Sequence, residues 1–154
     1  MSNQAQNLLK MKNIILASAI VLIFFSSCSK ELDCCIIEGN EQKWELVEMT
    51  GSFAPSVSTG NDMDWQEYYL LNTNTGTFTK SRTTDGVQTS TSGTFVFNST
   101  EEEHSIKLTY PSDNELIANC TGDLIEVLII ESENTLKGTW APCDGPGLKY
   151  KRTE

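Results

Sequence analysis

Three of the five cysteines of this 154-residue chain, Cys28, Cys34 and Cys35, fall within eight positions of one another in the stretch FFSSCSKELDCC, and Cys120 and Cys143 stand far downstream. Thiols in such a pattern can carry a lipid, form disulfides or hold a metal. Zinc sites draw their ligands from close C-x-x-C pairs, and no such pair exists here. The other chemistry-bearing residues are sparse. His104, the sole histidine, follows Glu101, Glu102 and Glu103 in what reads as a charged turn, without a serine or cysteine motif to activate. Asn61, Asp62, Met63 and Asp64 offer oxygens for calcium but lack the rest of a twelve-residue binding loop. The expectation is therefore no catalytic residue, no metal and no cofactor.

Ahead of Cys28 lie Lys10 and Lys12, an apolar or small run over residues 14–25, and the small pair Ser26 and Ser27. That is the layout of a secretory signal, and Met11 opens a complete one by itself. With 12 residues the run is shorter than the ~20 that a membrane-spanning helix needs. Phe25, Ser26, Ser27 and Cys28 resemble the lipobox of bacterial lipoproteins, with Phe25 where an aliphatic residue is usual. The resemblance implies that Cys28 is lipidated, becomes the new N-terminus and holds the protein on a lipid bilayer. The rival reading makes Cys28 an ordinary secreted cysteine in a disulfide. Ser29, Lys30, Glu31, Leu32 and Asp33 resemble the export signal of some Bacteroidetes lipoproteins, which implies the outer membrane of the cell envelope, on its periplasmic or surface side. A plain solvated tether is the alternative.

The expected organisation is a signal peptide over 1–27, a lipidated tether over 28–41 and one domain over 42–154. Removing the signal leaves Cys34, Cys35, Cys120 and Cys143, an even count in a compartment where disulfides persist. Joining the neighbours Cys34 and Cys35 demands a strained ring, so each is expected to reach one of the two C-terminal cysteines. In the mature part 9 basic residues stand against 21 acidic ones, a formal charge of −12. Such a surface repels nucleic acid and anionic headgroups.

These residues must be positioned by strands. No helical stripe runs for more than a turn or two, whereas period-two alternation is clean over 105–110 and 147–152. Strands are predicted at 43–49, 65–71, 76–83, 87–98, 105–110, 115–120, 124–131, 135–140 and 147–152. Asp85-Gly86 marks a tight hairpin, and residues 111–114 and 132–134 mark turns. The run 124–130 is apolar on both faces, so it is expected between the barrel interior and a cover, which the loop 50–64 would supply. Gly76, Gly93 and Gly138 each precede an aromatic (Phe78, Phe95, Trp140) by two residues, as bends in a small barrel would require.

The order of Lys43-Trp44-Glu45-Leu46, the two Gly-Thr-Phe pieces, the 106–110 strand and Leu148-Lys149-Tyr150-Lys151-Arg152 resembles the lipocalin-like domains of Bacteroidetes lipoproteins. Gln42 stands where the family motif has glycine. The resemblance implies an all-β, up-and-down antiparallel barrel of 8–9 strands, with Trp44 stacked beneath Arg152 to close its floor. It also implies a monomeric binding module for a small apolar ligand, with a mouth lined by Phe53, Trp65, Tyr68 and Tyr69. The alternative is an envelope interaction or structural protein whose barrel is filled by side chains.

Overall fold

A computed structural model describes residues 41–51 and 56–153. Nine strands follow one another: β1 (Glu41–Thr50), β2 (Val57–Thr59), β3 (Gln66–Asn72), β4 (Thr77–Thr84), β5 (Val87–Ser99), β6 (His104–Thr109), β7 (Ile125–Ser132), β8 (Thr135–Gly138) and β9 (Gly147–Arg152). Each pairs antiparallel with its neighbour in the order β2-β1-β3-β4-β5-β6-β7-β8-β9, and β1 also pairs with β9. That last ladder closes eight strands into a barrel, with β2 as an extra strand along the end of β1. The architecture is compatible with a lipocalin-like fold, and closure removes the unpaired edges that a meander would otherwise expose.

Side-chain parity sets the inside. Gln42, Trp44 and Leu46 of β1 point inward, a bulge between Leu46 and Glu48 resets the register, and Met49 is again buried. Trp44 faces Tyr69 on β3 and Arg152 on β9, so the pair expected at the floor does occupy facing positions across the closing ladder. Gln42 has its own role there: its side-chain oxygen accepts the Trp44 indole N–H at 3.1 Å, the partner that a buried tryptophan needs.

The connections divide by length. The turns 73–76, 100–103 and 133–134, together with the start of β1 and the end of β9, lie at one end. At the other lie the long connections 51–65, 110–124 and 139–146 and the Asp85-Gly86 turn, whose φ values of 52° and 80° fit a primed hairpin. The two ends are called the turn end and the loop end below.

Two expectations need correction. Residues 115–120 form no strand, because β6 and β7 pair directly with each other from Ser105↔Ile129 to Thr109↔Ile125, which leaves no edge between them. The alternation of buried Leu116 and Ala118 there belongs to a loop whose backbone is held by side chains. Asn114 accepts from the Leu116 N–H, Asn119 donates to the Asp123 and Ile125 carbonyls, and the Gly122 N–H donates back to Asn119. The described residues of the segment 50–64 lie along β1 and in the core rather than over β7. Its strand β2 pairs with Glu48, Met49 and Thr50 of β1, and Met63 enters the core.

The three glycines do different work. Gly76 takes φ +64° in the β3–β4 turn, while Gly138 would accept a side chain at ordinary contact distance. Gly93 is where the barrel wall crowds: a Cβ there would lie 2.2 Å from the Thr109 carbonyl oxygen and 2.7 Å from the ring of Phe78, its cross-strand partner. Gly93→Ala is therefore expected to cost about 1–3 kcal/mol and lower the melting temperature by about 5 °C or more. An unchanged calorimetric melt would show that no close approach occurs at this point.

Candidate functional site

The interior holds a charged cluster among its aromatics. The inward positions of β3 are Glu67, Tyr69 and Leu71, those of β4 are Phe78, Lys80 and Arg82, and β7 contributes Glu126 and Leu128. Lys80 is 0 % exposed, and its ammonium lies 3.0 and 3.1 Å from the two Glu126 oxygens, 3.4 Å from Glu67 Oε1 and 2.6 Å from the Leu116 carbonyl. Arg82 Nε donates to Glu67 Oε2 at 2.7 Å. Two cations thus meet two carboxylates, and the cluster is neutral as a whole.

Tyrosines complete the coordination. The Tyr69 hydroxyl donates to Glu126 Oε1 at 2.7 Å, that of Tyr150 to Glu67 Oε1 at 2.6 Å, and that of Tyr110 to Glu126 Oε2. Lys80 also stands 5.0 Å over the Tyr69 ring. Burial, and then the Glu126 carboxylate, hold the hydroxyls of Tyr69 and Tyr110 well above the ordinary tyrosine pKa. For Tyr150 the causes are burial and then Glu67. Phenols that keep their protons remain donors to the buried carboxylates.

Towards the loop end, Arg82 stacks on Trp65, its guanidinium carbon 4.3 Å from the ring centroid. Two clefts adjoin this stack. One of about 330 Å³ is lined by Arg82, Thr84, Val87, Thr89, Glu115 and Leu116. The other, about 340 Å³, lies between Trp65 and Trp140 beside Met49, Ser56, Ser58 and Asp64. Among the described residues, the buried side-chain polar atoms without a hydrogen-bond partner are Arg82 Nη2 and Trp65 Nε1, both from the stacked pair.

The residues expected at the mouth are not one group. Tyr69 is inside the barrel on the Glu126 cluster; Tyr68, its neighbour on β3, points outward with Lys43 5.1 Å from its ring. Trp65 borders a loop-end cleft, and Tyr68 lines a smaller pocket with Glu45, Gln66 and Thr83. Phe53, like Cys28, Cys34 and Cys35, lies outside the described residues.

The expected disulfide pairing is overturned. Cys120 bonds to Cys143, with Cα atoms 5.4 Å apart and 23 positions between them in sequence. The 110–124 loop and the short helical turn at Ala141–Cys143 both belong to the loop end, which brings the two thiols together without the N-terminal pair. Closing a loop of this length stabilises by about 3 kcal/mol in the chain-entropy picture, and it braces the segment that carries Leu116.

Sequence reading missed the cluster, although a signal was present. Glu126 shares its strand parity with Leu128, Lys80 with Phe78, and Glu67 with Tyr69 and Leu71, so a charge repeatedly occupies an inward position.

Lys80→Met removes the shared cation, leaving Glu126 buried without one and Glu67 with Arg82 alone. The expected loss is about 3–5 kcal/mol, read as a fall of at least ~10 °C in melting temperature. A loss below ~1 kcal/mol would mean that the cluster contributes nothing net. The tyrosines predict an alkaline limit. Their folded-state pKa values lie above the ~10 of an unfolded chain, so their contribution is complete below about pH 10 and is lost as the pH climbs through the folded values. Absorbance at 295 nm should then report ionisation of these three phenols together with unfolding; ionisation of more than one of the chain's four tyrosines while circular dichroism still shows a folded chain would contradict the burial of these three on carboxylates.

Compared with known proteins, the chain matches no family model, no curated protein and no solved structure.

Proposed function

We propose that this protein is a lipid-anchored envelope lipoprotein whose lipocalin-like barrel is a filled support for a recognition surface at its loop end, without catalysis. The observation that carries this reading is the occupancy of the interior. Lys80, Glu67, Glu126, Tyr69, Tyr110 and Tyr150 converge where a carrier of apolar cargo would keep an empty, apolar cavity. An apolar ligand placed there would have to displace four paired charges, each costly to strand.

The distribution of connections supports the same reading. The chain joins the barrel at Glu41, at the turn end, and leaves the long connections, both clefts and the Cys120–Cys143 bridge at the opposite end. Binding surfaces are commonly built from loops held on a rigid sheet. Lipidation at Cys28 would add the anchor, since two or more acyl chains give stable membrane attachment.

Cys28→Ala is expected to move the protein out of the membrane fraction; unchanged sedimentation with membranes removes the anchor. Native mass spectrometry of the protein extracted from its own membrane should give the lipidated polypeptide without internal cargo. A reproducible apolar mass that leaves only on denaturation would replace the filled support with a carrier.

A further inference from the structure

We infer that the loop-end cleft between Trp65 and Trp140 binds one neutral pyranose ring, a sugar unit either free or at the end of a glycan; this rests on the loop-end reading above and names the ligand class for one of its two clefts.

The two indoles are the reason. Both border this cleft of about 340 Å³, and both are only partly buried against the core. Each already has ring surface covered on one side. Arg82 lies 4.3 Å from the centroid of Trp65, and Gly145 packs so closely on Trp140 that a Cβ there would meet ring atoms at 2.3 Å. Neither Arg82 nor Gly145 lines the cleft, so what the cleft receives is uncovered ring surface. Trp65 Nε1 is buried, so this indole offers ring carbon rather than its N–H. Both rings are held before a ligand arrives. Arg82 is fixed on Glu67 Oε2 at 2.7 Å, and Cys143, bonded to Cys120, donates its N–H to the Trp140 carbonyl at 3.0 Å. Little conformational freedom therefore remains to be lost on binding.

The polar lining sets the ligand class. Ser58 stands opposite Met49 in the β1–β2 ladder and so shares its side of the sheet, and both line the cleft. Among the described residues, the Ser58 hydroxyl and the exposed Asp64 carboxylate make no hydrogen bond or ion pair, which leaves both to a ligand. The rim beside them is firm, because the Gly51 N–H donates to the Ser56 carbonyl at 2.9 Å. None of the described lining residues is basic, so an anionic ligand would meet Asp64 without compensation. A wholly apolar ligand would cover the hydroxyl and the carboxylate without bonding them. A quaternary ammonium ion would leave the hydroxyl idle, and Trp65 already gives ring surface to the Arg82 guanidinium. A pyranose satisfies each group. Its C–H face lies against the negative face of an indole, and its hydroxyls donate to Asp64 and exchange hydrogen bonds with Ser58. A cleft of about 340 Å³ is at the small end of ligand sites and takes a single ring.

The test uses the full chain in lipid nanodiscs. The probes are the methyl glycosides of glucose, galactose, mannose and N-acetylglucosamine, with methyl glucuronoside as the anionic match and choline as the cationic one. Amide NMR shifts give both affinity and location. At least one neutral glycoside should bind with a Kd of about a millimolar, its shifts concentrated in 56–65 and 139–146, and the glucuronoside about tenfold or more weaker. Trp140→Ala should abolish binding. Asp64→Asn, at an exposed position, should weaken the neutral sugar about fivefold without disturbing the fold and narrow the gap to the glucuronoside; it decides the matter if Trp140→Ala does not fold. A trisaccharide ending in the bound sugar separates the two sources: equal affinity assigns a glycan end, exclusion a free sugar. No shift with any glycoside, or choline bound more tightly than all of them, overturns the proposal. Shifts confined to the cleft beside Leu116 would overturn it while leaving loop-end recognition in place, and shifts confined to the turn end would remove both.

Discussion

The position of one ammonium group organises this barrel. Lys80 lies between the carboxylates of Glu67 and Glu126, which arrive from strands far apart in sequence, and its third direction is taken by the Leu116 carbonyl from the β6–β7 connection. In a medium that solvates charge poorly, Glu126 is intolerable without this cation, Glu67 would keep Arg82 alone, and the cation is intolerable without them. The pairing therefore demands that β3, β4 and β7 keep one relative register. A slip by one residue on any of them would turn its charge to the outside and leave the others stranded.

That constraint spreads outward through hydrogen bonds. The three tyrosine hydroxyls come from β3, β9 and the end of β6, so the two carboxylates gather donors from around most of the barrel wall. Glu67 then hands the arrangement to Arg82, and Arg82 to Trp65, which carries a fixed orientation from the middle of the barrel to its loop end. The Lys80 contact to Leu116 does the same for the 110–124 loop. A filled interior and a shaped loop end are thus consequences of one network rather than separate features. The proposed recognition surface depends on the interior for its rigidity.

Much of the wall was legible because β-strands write their burial into sequence as alternation. Eight of the nine predicted strands correspond to observed ones, and the Asp85-Gly86 turn falls where two consecutive positive φ values require it. The failures share a cause. Leu116 and Ala118 alternate like a strand, yet a strand exists only with a neighbour to bond, and β6 and β7 had already taken each other. The aromatic pair Tyr68 and Tyr69 read as one mouth, whereas adjacent strand residues must face opposite sides.

By itself the sequence determined the all-β class and the order of strands, and its resemblance to lipocalin-like domains implied the closing positions Trp44 and Arg152. The class and the order follow from local rules: the period of the side chains and the backbone preferences of glycine and aspartate. Only the tertiary structure decided which cysteines meet, that the interior is ionic rather than empty, and that Arg82 links Glu67 to Trp65. Each of those depends on distances between residues remote in the chain. Burial turns the charged residues at inward positions from a solvated surface into a mutually dependent set, and no local pattern records that change.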